Sequence, residues 1–170
     1  MKLDIACGQN KAKGFKGVDI APGEGVDFVW DLEQFPWTPF ADNSVKEVHC
    51  SHYIEHTKDL IKFMNEVWRI CEKDAKVTLI APYYTSMRAW QDPTHTRAIS
   101  EATFLYFDQN WLKTSHLDHY PITCNFATEK LLVFPNPPWD KKSEEARVFA
   151  QQHYWNVISD IVVELRAVKD

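Results

Sequence analysis

Short apolar runs that end on an acid recur through the first half of the chain. Lys2 to Cys7 is a hydrophobic strand that runs into a turn at Gly8, and Phe15 to Val18 is a second strand closed by Asp19. Val26 to Trp30 repeats the pattern and ends on Asp31, and Val45 to Cys50 alternates enough for a fourth strand. Residues 33–44 carry Pro36, Pro39 and several turn formers, so they read as a loop. After SHYIEH (51–56), Thr57 reads as an N-cap with Asp59 in the favourable first turn. Leu60, Ile61, Met64, Val67, Trp68 and Cys71 then follow the spacing of a helix with one buried face. Lys73 and Asp74 read as the turn into VTLIA (77–81), a continuous apolar run of the kind found in a central parallel strand. Strand, helix and strand in this order make a βαβ unit.

The second half is less regular. Residues 82–120 are rich in Tyr, Trp, His and Pro, with a short helix expected around Ser100 to Phe107. Cys124 to Phe134 should contain a strand, PNPPW (135–139) a loop, Ser143 to Val157 a helix, and Ile161 to Val168 the last strand. The pattern predicts one α/β domain over residues 1–170, without internal repeats or linkers. The connection GQNKAK between the first two strands is unusually short, whereas a parallel crossover usually takes a dozen residues or more and contains a helix. Two arrangements fit: an antiparallel hairpin, or an extended crossover, since six or seven residues span ~20 Å at ~3.3 Å each.

Composition narrows the class. The 170 residues, 45% apolar and 14% aromatic, suffice for a packed core. A net charge of −5 argues against a broad nucleic-acid footprint. The four cysteines have no CxxC spacing and suit reduced thiols. Neither a leader nor an apolar run of the ~18 residues that span a bilayer is visible, so a cytoplasmic protein without a membrane partner is expected.

Chemistry concentrates at strand ends. In open α/β sheets ligands bind outside the carboxyl ends of the strands. A glycine there lets backbone approach the ligand, and an acid closing the next strand accepts hydrogen bonds from ribose hydroxyls. Gly8 followed by Asp19 therefore describes a nucleoside pocket.

The motifs LDIACG (3–8), GFKGVDI (14–20), WDL (30–32), SHYIEH (51–56), VTLIAP (77–82) and ELRAVK (164–169) resemble, in that order, the compact class I S-adenosylmethionine-dependent methyltransferases. The resemblance implies a Rossmann-like fold: a mostly parallel sheet with an antiparallel C-terminal strand, the helix after the first strand shortened or absent. It implies S-adenosylmethionine as cofactor, with Ala6, Cys7, Gly8 and Gln9 along its methionine end and Asp4 helping to hold the amino group. Asp19 would take the ribose hydroxyls, Ile20 would pack on the adenine, and Asp31 and the Leu32 backbone would read the base. Ser51 and His52 would face the sulfonium and the acceptor. A cationic sulfonium suits a cleft of carboxylates and aromatic faces. Ala6 stands where the family usually has its first glycine, and Gln9-Asn10 replace the rest of the glycine-rich turn. No helices precede the first strand, so the pocket is expected to be open or covered by a second copy in a homo-oligomer.

Three further motifs bear on the acceptor. HYIEH (52–56) matches the inverted zinc-protease pattern H-x-x-E-H, but those ligands must share one helix face and the helix here is expected to begin after them, so no metal is assigned. NPPW (136–139) resembles the tetrapeptide of amino-methyltransferases but lies far from the fourth strand, and reads as a rigid turn. In AWQDPTHTRAIS (89–100), Arg97 either pairs with Asp92 or faces the acceptor, and His95, with His56, is the candidate general base. An imidazole of ordinary pKa, ~6.5, can do this near neutral pH. Tyr83 and Tyr84 are candidate acceptor-pocket walls. The expected function is methyl transfer to an O or N nucleophile of a small-molecule or sugar-like acceptor. The alternatives are a non-catalytic nucleoside-binding module, or an NAD-dependent oxidoreductase, which the missing G-x-G-x-x-G and Tyr-x-x-x-Lys disfavour.

Overall fold

The computed structural model describes residues 1–170. One seven-stranded sheet organises them: β1 (Lys2–Ile5), β2 (Lys16–Asp19), β3 (Val26–Val29), β4 (Val45–Ser51), β5 (Cys71–Pro82), β6 (Phe126–Pro135) and β7 (Ile158–Ala167). The spatial order is β3-β2-β1-β4-β5-β7-β6. Neighbours from β3 to β5 run parallel, while β7 is antiparallel to both β5 and β6. The expected α/β class and the antiparallel C-terminal strand are both present.

The β1–β2 pair resolves the ambiguity of the short connection. Leu3, Asp4 and Ile5 pair in parallel with Lys16, Gly17 and Val18, so the chain crosses over without a helix, and the hairpin is excluded. Close approach makes this crossover work. A Cβ on Gly17 would lie 2.5 Å from the Gly25 carbonyl oxygen, 2.6 Å from Cys7 Sγ and 2.9 Å from Lys11 Cδ, so only glycine lets the crossover lie on β2. Asp27 on β3 then ties it down, bonding Lys11 Nζ and Lys16 Nζ at 2.7 Å each and the Gly17 N–H at 2.8 Å.

Helix α1 (Leu60–Ile70) starts two residues later than expected, capped by Asp59, whose carboxylate accepts from the Lys62 N–H. Thr57 is buried instead. The buried face is also rotated from the predicted stripe: Phe63, Met64, Glu66, Val67 and Ile70 point inward, while Leu60, Ile61 and Trp68 are only partly covered. The loop 33–44 explains the rotation. Its Trp37 and Phe40 are fully buried, Trp37 packs edge-on to Phe63, and Glu66 accepts the Trp37 N–H while pairing with Arg69. Trp68, read as core, instead donates to the Val168 carbonyl at the edge.

Cys71 leaves α1 directly into β5, so the expected turn at Lys73-Asp74 is a bulge within the strand. Val45 and Glu47 pair with Cys71 and Lys76, two residues' advance on β4 against five on β5, and Asp74 there has φ +61°. Beyond β5 come α2 (Arg88–Gln91), a 3-10 segment Glu101–Phe107 where a short helix was expected, α3 (Gln109–Thr114) and α4 (Glu144–His153). Ser143 caps α4, which ends before the expected Val157. No helix is long and apolar enough to cross a membrane.

Candidate functional site

The sheet order reverses between β1 and β4, and both strands run directly into a left-handed residue: Ala6 at φ +54° and His52 at φ +54°. Non-glycine residues in this region are strained, and such strain concentrates at functional sites. Gly8 is also left-handed, at φ +50°, and its N–H donates to Asp19 Oδ2 at 2.9 Å. The turn after β1 and the acid ending β2 are thus one unit.

A cleft of about 260 Å³ opens at this switch point, lined by Ala6, Asp19, Ile20, Asp31 and Leu32 together with Glu33, Tyr53, His56 and Lys58. Five residues expected at the cofactor therefore converge. Ile20 stands 66% exposed in the same cleft as the two carboxylates, outside the hydrophobic core. Asp31 Oδ1 accepts the Glu33 N–H at 3.0 Å, which fixes the turn after β3.

Glu33 and Tyr53 escaped the sequence reading. Glu33 accepts from the Tyr53 hydroxyl at 3.1 Å and from the Lys58 N–H, bridging β3 to the loop after β4. Burial and the Glu33 carboxylate push the Tyr53 phenol well above its ordinary pKa, so Tyr53 acts as a neutral donor. Its place inside SHYIEH was the available signal.

Other expected cofactor residues do not line the cleft. Asp4 is 2% exposed, and its carboxylate accepts the Ala12 N–H at 2.6 Å and meets His49 Nδ1 at 2.7 Å, so it braces the crossover from within. Cys7 is buried beneath the crossover and Gln9 is exposed outside the cleft. Ser51 is the last residue of β4 and lines neither cavity described here, and His52 turns into a second pocket.

That second pocket, about 200 Å³, is mostly polar: His52, Glu55, His56, Arg88, Gln91, Asp92 and His95 line it together with Pro82. His56 lines both cavities. The rings of His56 and His95 meet edge-on with centroids 4.5 Å apart, bringing together the two histidines expected from the sequence. Hydrogen bonds with Thr94 hold the Asp92 carboxyl below its ordinary pKa, so Asp92 stays ionised. Arg88 pairs with Asp160 through both carboxylate oxygens, at 2.7 and 3.0 Å.

The remaining acceptor candidates have other roles. Tyr83 is 2% exposed, with its hydroxyl between Glu101 and Gln151, so it is core rather than pocket wall. Tyr84 is 39% exposed but outside the polar pocket. Arg97 neither faces the pocket nor pairs with Asp92. Its guanidinium donates to the carbonyls of Ile54, Thr57 and Lys58, clamping the loop that shapes both cavities.

Residues 3–79, which carry the residues lining the cleft and most of the first five strands, match the family described as "Methyltransferase domain". A search of curated proteins finds no match. Among solved structures, a SAM-dependent methyltransferase from Archaeoglobus fulgidus superposes with TM-score 0.62 at 17% identity, covering 97% of this chain and 85% of that one. The YcgJ protein of Bacillus subtilis gives TM-score 0.58 at 17% identity, with 99% and 92% covered. The [4+2]-cyclase SpnF gives 0.60 at 11% identity, with 99% and 74% covered. These likenesses establish the fold. Taken with the family match, they make residues 3–79 similar to a methyltransferase domain set in a Rossmann-like methyltransferase fold. These likenesses imply S-adenosylmethionine as cofactor, and the donor set fits it: two carboxylates, Asp19 and Asp31, share the cleft with the exposed Ile20.

Proposed function

We propose that the protein methylates an oxygen or nitrogen nucleophile on a small, polar, sugar-like acceptor bound in the pocket beyond His56. The observation that carries this reading is the meeting at His56 of a cleft that mixes carboxylates with apolar Ala6, Ile20 and Leu32 and a mostly polar pocket. When bound, S-adenosylmethionine supplies an electrophilic methyl group. Asp19 accepts from its ribose hydroxyls, Ile20 and Leu32 pack on its adenine, and Asp31 accepts from the adenine amino group.

The polar pocket suits hydroxyls and amines better than an apolar ring. His52, Gln91 and Asp92 line it with donors and acceptors that suit a small polyol, and Arg88 is charge-balanced by Asp160. The Glu55, His56 and His95 cluster, nearest the cofactor cleft, holds the nucleophile. Positioning alone supplies much of the acceleration of an in-line displacement.

Transfer of labelled methyl from S-adenosylmethionine is measured against a panel of hydroxylated and amino sugars and a matched panel of apolar phenols. Transfer to the polar panel is expected, with loss in His95→Ala. Transfer confined to apolar phenols contradicts the acceptor assignment. Cofactor binding without transfer to either panel favours a non-catalytic binding module.

A further inference from the structure

We propose that Glu55, His56 and His95 form a binding site for a divalent transition-metal ion, with zinc the first candidate, at the junction of the two cavities. One donor atom from each of the three lies within 4.8 Å of the other two. Two imidazoles and a carboxylate around an open position suit zinc or a comparable transition metal, whereas magnesium and calcium take all-oxygen sets.

The stronger argument is the hydrogen bonding behind the donors. Glu55 is 2% exposed, yet its Oε2 has no partner, and an unpaired buried carboxylate oxygen is costly. Its other oxygen, Oε1, faces His52 Nδ1 at 3.3 Å. The Thr94 hydroxyl donates to Asp92 Oδ1 at 2.7 Å, so its lone pair accepts from His56 Nδ1–H at 2.9 Å. His95 Nδ1–H donates to the Ala89 carbonyl at 3.0 Å. Both imidazoles are thereby set as tautomers with a bare Nε2. All three candidate ligands are oriented through the atom they do not offer, which is how metal-binding histidines and carboxylates are held.

The sequence pattern H-x-x-E-H named the wrong first histidine. Residues 52–56 precede α1 instead of lying along it, so His52 supports Glu55 from behind, and His95, from the loop after β5, completes the set.

Metal binding here does not depend on methyl transfer, but its role does rest on the proposed acceptor. A cation at the junction would polarise an acceptor hydroxyl and lower its pKa. With both imidazoles ligated, the hydroxyl proton passes to His52 Nε2, which is 3.9 Å from Asp160 and lines the same pocket. The oxyanion then attacks the methyl carbon as the carbon–sulfur bond breaks, and neutral S-adenosylhomocysteine leaves.

Chelator-treated, untagged protein is titrated calorimetrically with Zn²⁺ and, separately, with S-adenosylhomocysteine. Wild type should bind one equivalent of Zn²⁺. Glu55→Gln and His95→Ala should each weaken it by more than ~100-fold, and Thr94→Val, which removes the hydroxyl that orients His56 and bonds Asp92 but no ligand, by ~10–100-fold. The Co²⁺-substituted wild type should show visible ligand-field absorption that Thr94→Val reduces, a readout that survives if a ligand variant fails to fold. His95→Ala should still bind S-adenosylhomocysteine. Failure of wild type to bind Zn²⁺ stoichiometrically, or equal binding by Glu55→Gln and His95→Ala, overturns the proposal. The independent S-adenosylhomocysteine titration shows whether the cofactor reading stands or falls with it.

Discussion

Gly17→Ala isolates the contact that lets β1 and β2 run parallel without a helix between them. The added carbon would sit 2.5 Å from the Gly25 carbonyl oxygen and 2.6 Å from Cys7 Sγ. The first is backbone at a left-handed turn with φ +92°, and the second is a buried atom, so neither can swing away. Lys11, the third neighbour, is held by Asp27. Relief requires the crossover and the β2–β3 turn to separate by nearly an ångström. Overpacking costs ~1–3 kcal/mol, and with backbone as the obstacle the upper end, about 3 kcal/mol, applies. At ~3 °C per kcal/mol for a chain of this size, Tm should fall by ~9 °C. Gly23→Ala is the matched control: its nearest neighbour would be Val26 Cγ2 at 3.8 Å, without a positive φ. It should be neutral, or stabilise by ~0.4–1 kcal/mol through the unfolded state. Both are read by thermal and urea denaturation. Equal effects from the two substitutions, or an unchanged Tm in Gly17→Ala, would refute the packing argument.

Ala6→Gly should stabilise by ~0.5–1 kcal/mol in urea, because relieving a left-handed alanine outweighs the entropy glycine adds to the unfolded chain. Arg97→Ala should lose ~2–3 kcal/mol of stability and weaken S-adenosylhomocysteine binding, since the loop carrying Tyr53, His56 and Lys58 loses its clamp. Arg97→Lys should not restore either, because an ammonium cannot span three carbonyls in one plane. Asp27, bonded by Lys11, Lys16 and the Gly17 N–H, has a pKa below its ordinary value. Its stabilising contribution is therefore complete above the unfolded-state pKa of ~3.9 and is lost as pH falls from there towards the folded value. Asp27→Asn should flatten the stability–pH curve below pH ~5 in urea melts. Burial pushes the Cys71 and Cys124 thiols up to about 12, so both should resist alkylation in the native protein at pH 8 and react fully once unfolded.

Strand positions were legible wherever a short apolar run ended on an acid, as at Asp19 and Asp31, because strand ends and ligand contacts coincide in this fold. The parallel sense of β1 and β2 was not. It depends on Gly17 meeting Gly25, Cys7 and Lys11, a contact invisible to local pattern. The face of α1 was misread because Trp37 and Phe40, in a proline-containing loop with no periodicity, pack onto it from outside the helix. At the site, Asp19, Ile20, Asp31 and Leu32 could be placed from strand-end logic and resemblance. Asp4, Tyr83 and Arg97 could not, because a polar side chain near a strand end can face inward as readily as toward a ligand, and only their partners show which. His56 and His95 were singled out from two separate segments, but the Thr94 and Ala89 bonds that orient them are long-range or backbone contacts.

The most direct measurement is a thermal-shift titration with S-adenosylhomocysteine and with NAD, on wild type and Asp19→Ala. At a hundred times its dissociation constant, S-adenosylhomocysteine should add ~2.7 kcal/mol to wild-type stability. That corresponds to a Tm rise of ~8 °C. NAD should add nothing, and Asp19→Ala should lose most of the response. A shift with NAD alone, or a response to S-adenosylhomocysteine that Asp19→Ala leaves intact, contradicts the cofactor cleft at the β1–β4 switch point.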